Sequence, residues 1–177
     1  KTKLSPNDLS AVAISEGPGS YTGLRIGVSA AKGICFPLNI PLIALDTMHI
    51  LARKIECSEG YIVPALDARR DEIYFAMFQS TNCKIPELKV KTDTMILTSD
   101  SFSNYYETST VNFVGDCNKK IMQYLNHENI FFSDYILPSA NEMGILSHSK
   151  YVKEQFVDVA EFQPKYLKEF GGKKINN

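Results

Sequence analysis

Residues 15–33, SEGPGSYTGLRIGVSAAKG, decide how this chain is read. The stretch opens on Gly17-Pro18-Gly19 and closes on a run with helical spacing. Just before it, LSAVAIS (9–15) is apolar and carries Val and Ile, the composition of a buried strand. Thr22 offers an N-cap oxygen, so a helix is expected over 22–36, with Pro37 as its stop. PLIALD (41–46) supplies the next buried strand. Strand, helix and strand in that order form the unit that builds parallel sheets, which makes the chain α/β.

A glycine loop between strand and helix raises the question of phosphate. A P-loop requires G-x-x-x-x-G-K-[ST], because its lysine neutralises phosphate charge and its hydroxyl holds magnesium. Gly23 is followed by Leu24, and no Gly-Lys-Ser/Thr occurs in the chain. A dinucleotide fingerprint requires G-x-G-x-x-G, and GPGSYTG is one residue too long. Free amide N–H groups at a helix start can still hold an anion, and on that reading Gly17, Gly19 and Ser20 are the cofactor-binding residues. The competing reading is a tight strand-to-helix turn that needs a positive φ. It is preferred, since no charge partner accompanies the loop.

The helix is more informative than the loop. Gly23, Gly27, Ala30 and Ala31 put small residues along one side, beside an apolar stripe of Leu24, Val28 and Cys35. Its polar positions are Arg25, Ser29 and Lys32, on one narrow strip. A helix so short of polar residues is usually covered on more than one side. Its own sheet is one cover; another helix of the chain or a partner subunit is the second. Interior glycines cost about 1 kcal/mol each in helix propensity, so a close packing contact is expected to offset them. The expected partner-facing residues are Leu24, Arg25, Gly27, Val28, Ala31 and Lys32.

Little else looks catalytic. His49, His127 and His148 are isolated and form no H-x-x-x-H pair for a metal. No G-x-S-x-G elbow occurs. Cys35, Cys57, Cys83 and Cys117 never form C-x-x-C, which argues against a zinc site or disulfide framework and suits the cytoplasm. With 44% hydrophobic and 22% charged residues, the 177-residue chain can build a real core. Its formal net charge of −1 provides no basic field for gripping nucleic acid unaided. No apolar run reaches the length of a membrane span, so no membrane partner is expected.

After Gly60 the pattern changes. YIVPALDARRDEIYFAMF reads as an antiparallel hairpin with the polar tip DARRDE (67–72). The tip is either a solvated turn whose charges pair with one another, the preferred reading, or a place where Arg69 and Arg70 meet RNA phosphate. Beyond it, strands are expected at 89–98, 111–116 and 129–134. Helices are expected at 48–56, at 99–107 with a cap at Ser99 or Asp100, at 118–127 and at 139–155. The division expected is a first lobe over 1–58, a second α/β lobe over 59–160, and a C-terminal tail over 161–177 that ends loose and basic.

The run GPGSYTGLRIGVSAAKGICFPLNIPLIALDTMHILA, followed by DARRDEIYFAMF, resembles the TsaB (YeaZ) family of tRNA threonylcarbamoyladenosine biosynthesis proteins. The closing PKYLKE is similar to that family's P-x-Y-L-R, with Lys168 in place of arginine; Asp71 stands where glycine is usual. The family opens with a further strand, hairpin and helix, so this chain is expected to be a fragment with a bare sheet edge and apolar surface. The resemblance implies an actin-like fold, of the ribonuclease H-like and sugar-kinase type, in two lobes. It implies a non-catalytic subunit that pairs with TsaD, works with TsaE, and contacts tRNA indirectly. ATP is used by the complex rather than bound tightly here, and a homodimer is expected in isolation. An older label for the family, M22-type glycoprotease, would require a metal or nucleophile that the sequence does not offer.

Overall fold

The computed structural model of the chain describes residues 3–80, 85–135 and 137–168. Cys83 and the loose tail expected over 169–177 lie outside them. β1 (Val12–Gly17) and β2 (Leu42–Asp46) pair in parallel, Val12 opposite Leu42, with α1 (Tyr21–Leu38) as the crossover. The strand–helix–strand unit is therefore present as read, but the ends of α1 differ. Ser20, not Thr22, is the N-cap, its Oγ accepting the Gly23 N–H at 3.3 Å. Pro37 does not stop the helix; it sits in the exposed last turn, where its missing N–H forfeits one bond only. Asn39 closes the helix at φ 52, a left-handed conformation that asparagine tolerates well.

The second sheet has the order β5-β4-β3-β6-β7. β3 (Tyr61–Asp67), β4 (Glu72–Gln79) and β5 (Glu87–Ile96) are antiparallel neighbours, and β6 (Val111–Val114) and β7 (Ile130–Phe132) extend β3 in parallel. β3 and β6 are central and covered on both faces, which is why they read as nearly unbroken apolar runs. The helices between strands are shorter than expected: α3 (Ser103–Tyr106) and α4 (Asn118–Ile121) are single turns. Phe102, rather than Ser99 or Asp100, precedes α3 in a left-handed conformation. Its ring is wedged edge-on against Phe75 and Phe113, at 5.5 and 5.3 Å, so core packing overrides the local capping signal.

α2 (Thr47–Ala52), capped by Asp46, lies between the two sheets and is shorter than the expected 48–56. Met48, Leu51 and Ala52 pack with Ile62, Leu66 and Phe78, while Ile50 packs with Ile43, Leu45 and Leu146. Leu146 belongs to α5 (Ala140–Val152), which lies on β2 and is tied there by Lys150 Nζ donating to the Ala44 carbonyl at 2.6 Å. Lys54 and Glu142 join α5 to the end of α2 at 3.2 Å. A boundary at 160 is thus corrected. Residues from 140 to 165 return to the first sheet, because β2 would otherwise leave one face and one edge bare. Val157 bridges Leu42 there in antiparallel fashion. Among the described residues β1 has no second partner strand, and Val12, Ala13 and Ile14 are only half-buried.

Candidate partner interface and hairpin tip

α1 divides the expected interface set between three surroundings. Val28 and Ala31 are 5% and 4% exposed and face the chain's own core with Cys35. They cannot meet a partner in this chain, which corrects that part of the assignment. Gly27 belongs to the same inward side: a Cβ there would stand 3.1 Å from Ile14, so the small residue lets α1 lie close on β1. Leu24 turns toward the glycine loop, with a methyl 3.2 Å from where a Cβ on Gly17 would be. Two of the three residues of the polar strip are committed as well. Arg25 Nε donates to Tyr166 at 3.2 Å, and Lys32 Nζ donates to the Ala160 carbonyl at 2.7 Å. What remains open is the side the sequence reading passed over, with Ile26, Ala30, Gly33 and Ile34 at helical spacing and exposed. Ile26 is 66% and the adjoining Phe36 77% exposed.

The first half of the glycine loop, Gly17 and Pro18, is covered by the chain itself, while Gly19 and Ser20 are exposed. Gly17 has φ 110, and an added Cβ would come within 2.7 Å of the Lys165 carbonyl oxygen. The Lys165 N–H donates to Glu16 O at 2.7 Å, and the Tyr166 ring lies 4.9 Å from that of Tyr21, over which Arg25 stacks at 4.1 Å. Glycine at 17 thus serves a close approach between two backbones. Ser20 Oγ is engaged at the helix cap.

At the hairpin tip the charges do not pair with one another. Lys120 binds Asp67, Lys168 binds Glu72 and also donates to the Ala68 carbonyl at 3.1 Å, and the Tyr124 hydroxyl donates to Asp71 at 2.8 Å. The hydrogen bond from Lys120 holds the Asp67 carboxyl below its ordinary range. Arg69 and Arg70 stand at φ 71 and φ 52, both exposed, with no side-chain hydrogen bond or ion pair among the described residues.

Comparison with known proteins decides the family. The family model described as TsaD, tRNA N6-adenosine threonylcarbamoyltransferase, matches residues 1–173. The chain belongs to this family. The tRNA threonylcarbamoyladenosine biosynthesis protein TsaB of Haemophilus influenzae is 26% identical over 93% of this chain and 72% of its own length. The protein of the same name from Bacillus subtilis is 42% identical over 45% of this chain, a stretch spanning only 34% of that relative. Similarity also reaches the tRNA N6-adenosine threonylcarbamoyltransferase of Bacillus subtilis, 40% identical over 37% of this chain and 19% of that protein. Within the TsaD family, the long match to TsaB places the chain on the TsaB/YeaZ side. The solved structure of YeaZ from Pseudomonas aeruginosa superposes with a TM-score of 0.79 at 22% identity, over 93% of this chain and 76% of that one. A second Pseudomonas aeruginosa structure, described as similar to the peptidase YeaZ, gives 0.76 at 21% identity over the same shares. The α/β, actin-like fold is that of these neighbours.

In this member of the TsaD family the carboxyl ends of β1 and β2 gather groups that sequence reading missed. Lys165 Nζ lies 3.8 Å from Asp46, Thr92 Oγ1 donates to Asp46 at 2.7 Å, and Ser15 and Thr47 share a hydrogen bond of 2.6 Å. Burial, reinforced by Asp46, raises the Glu16 carboxyl above its ordinary range. These residues come from β1, β2, α2, β5 and the closing segment, separations that no local motif encodes. Among the described residues, no group of three or more His, Cys, Asp or Glu is placed to hold a metal ion. None of the helices described is long and apolar enough to cross a membrane.

Proposed function

We propose that the chain is a non-catalytic subunit that docks on a TsaD-type transferase during threonylcarbamoyladenosine modification of tRNA. The docking surface is the outer side of α1. The observation that carries this reading is the uncovered strip of Ile26, Ala30, Gly33 and Ile34 beside Phe36, on a helix whose other sides are already occupied. Small residues at helical spacing let a second helix approach closely, and exposed isoleucines and a phenylalanine supply the apolar area for a stable contact. The same strip serves a homodimer when the transferase is absent. TsaE and ATP enter through the assembled complex, whose work is in the cytoplasm.

Co-purification of the chain with the transferase tests the docking. Ile26→Asp and Ala30→Asp are expected to lower the affinity at least about tenfold, the scale of losing one interface anchor, while the melting temperature of the isolated chain stays put. Undiminished capture of the transferase by both variants would overturn the assignment of this face. The rival is an ATP-binding or M22 peptidase-like enzyme working at Gly17, Gly19 and Ser20. Calorimetry with ATP and magnesium on the isolated chain separates the two: binding with turnover favours the enzyme, silence the docking subunit.

A further inference from the structure

We infer that the tip of the β3–β4 hairpin is a contact point for the phosphodiester backbone of RNA, made by the guanidinium groups of Arg69 and Arg70. The inference rests on the proposed role in tRNA modification and adds a direct contact to it. Two observations carry it. First, the chain engages Asp67, Asp71 and Glu72 through Lys120, Tyr124 and Lys168, all from other elements. This leaves two adjacent arginines exposed, neither guanidinium held in an ion pair or hydrogen bond among the described residues, although Arg69 stands near enough to Asp67 to help lower its pKa. Second, both arginines occupy left-handed backbone, φ 71 and φ 52, where asparagine or glycine would sit without strain. Strain of this kind is retained where the side chains have work that a relaxed residue would not do.

The chemistry favours phosphate. A guanidinium presents paired N–H donors that match two phosphate oxygens, and two consecutive residues at a turn can reach neighbouring phosphates. Asp71 lies in the tip, Asp116 accepts the Asp67 backbone N–H at 2.8 Å, and the net charge of the chain is −1, so the tip carries no long-range field. Its contact is short-range and adds to a grip held mainly by the partner.

The test is binding of a full-length tRNA transcript to the whole chain, alone and with the transferase, by fluorescence anisotropy across a salt series. For Arg69→Asn/Arg70→Asn the slope of log affinity against log salt is expected to shrink by about 1 per arginine. Affinity at low salt should fall about tenfold, from the loss of two phosphate contacts. The melting temperature should stay level or rise, since asparagine accepts this backbone. Arg69→Lys/Arg70→Lys should restore most of the salt slope. An unchanged affinity and slope would overturn the inference, as would the absence of any wild-type binding to the transcript in either setting. Loss of transferase capture with RNA binding intact would also overturn it, pointing to an acidic protein surface. Competition by inorganic phosphate as effective as that by RNA would reduce the tip to a free-anion site and overturn it too. If the wild-type chain fails to capture the transferase while the arginine effect on RNA persists, the proposed docking role fails and the RNA contact stands.

Discussion

His49 sits on α2 with its imidazole 4.9 Å from the Phe78 ring and its Nε2 buried without a hydrogen-bond partner among the described residues. Burial pushes its pKa below the ordinary 6.5; Asp46 opposes this, and Lys150 and Arg53 add to it. The unfolded chain therefore takes up this proton at a higher pH than the folded one. In the window below 6.5 the unfolded state binds more protons, so stability falls as the pH drops. Urea melts at a series of pH values should show that decline, and His49→Phe should flatten it. An unaltered slope in that variant would assign the dependence to other groups. Sequence reading judged this histidine isolated, which is correct of its neighbours along the chain. Asp46, three residues earlier and the cap of the same helix, is a local neighbour, but Lys150 of α5 stands just over a hundred residues away along the chain and approaches only in the folded molecule.

Helix α1 was legible as a helix, and its wealth of small residues as a packing device. Which side faces which neighbour was not. Apolar periodicity alone cannot distinguish a stripe that faces the chain's own sheet from one that faces a partner, since both require the same kinds of residue. Here Leu24, Val28, Ala31 and Cys35 turn inward, and the outer strip is the one a partner can reach. The consequence is a sharp contrast between two substitutions two residues apart. Val28→Asp places an unpaired charge in the core and is expected to cost about 3–5 kcal/mol, read as a lower midpoint in chemical denaturation. Ala30→Asp, on the exposed strip, is expected to stay within about 0.5 kcal/mol of the parent. Equal destabilisation by both would contradict the orientation of the helix.

For the molecule as a whole, the closing segment is the surprise. Residues 157–168 run from an antiparallel bridge at Leu42, past Lys32 and the glycine loop, to the hairpin tip at Glu72, and so touch both sheets. Tyr166 is an anchor near the end of that path, ring against Tyr21 and hydroxyl bonded to Arg25. Tyr166→Ala should lower stability by about 1–2 kcal/mol, one aromatic pair and one hydrogen bond to a charged group. It should also hasten proteolytic cleavage within 157–168; an unchanged cleavage rate would mean that the path is held without this ring.

The α/β class, the parallel unit around α1, the hairpin at 61–79 and the family motifs were all legible along the chain. Each depends on periods, turns and spacings within a few dozen residues. The fate of the tail, the lodging of Gly17 under Lys165, the partners of the tip acids and the outward strip of α1 were not. Those are contacts between residues up to a hundred or more positions apart, such as Lys168 with Ala68 or Arg25 with Tyr166. Local composition carries no record of them. They exist because a half-covered sheet must bury its second face, and among the described residues the segment that does so arrives from more than a hundred positions along the chain.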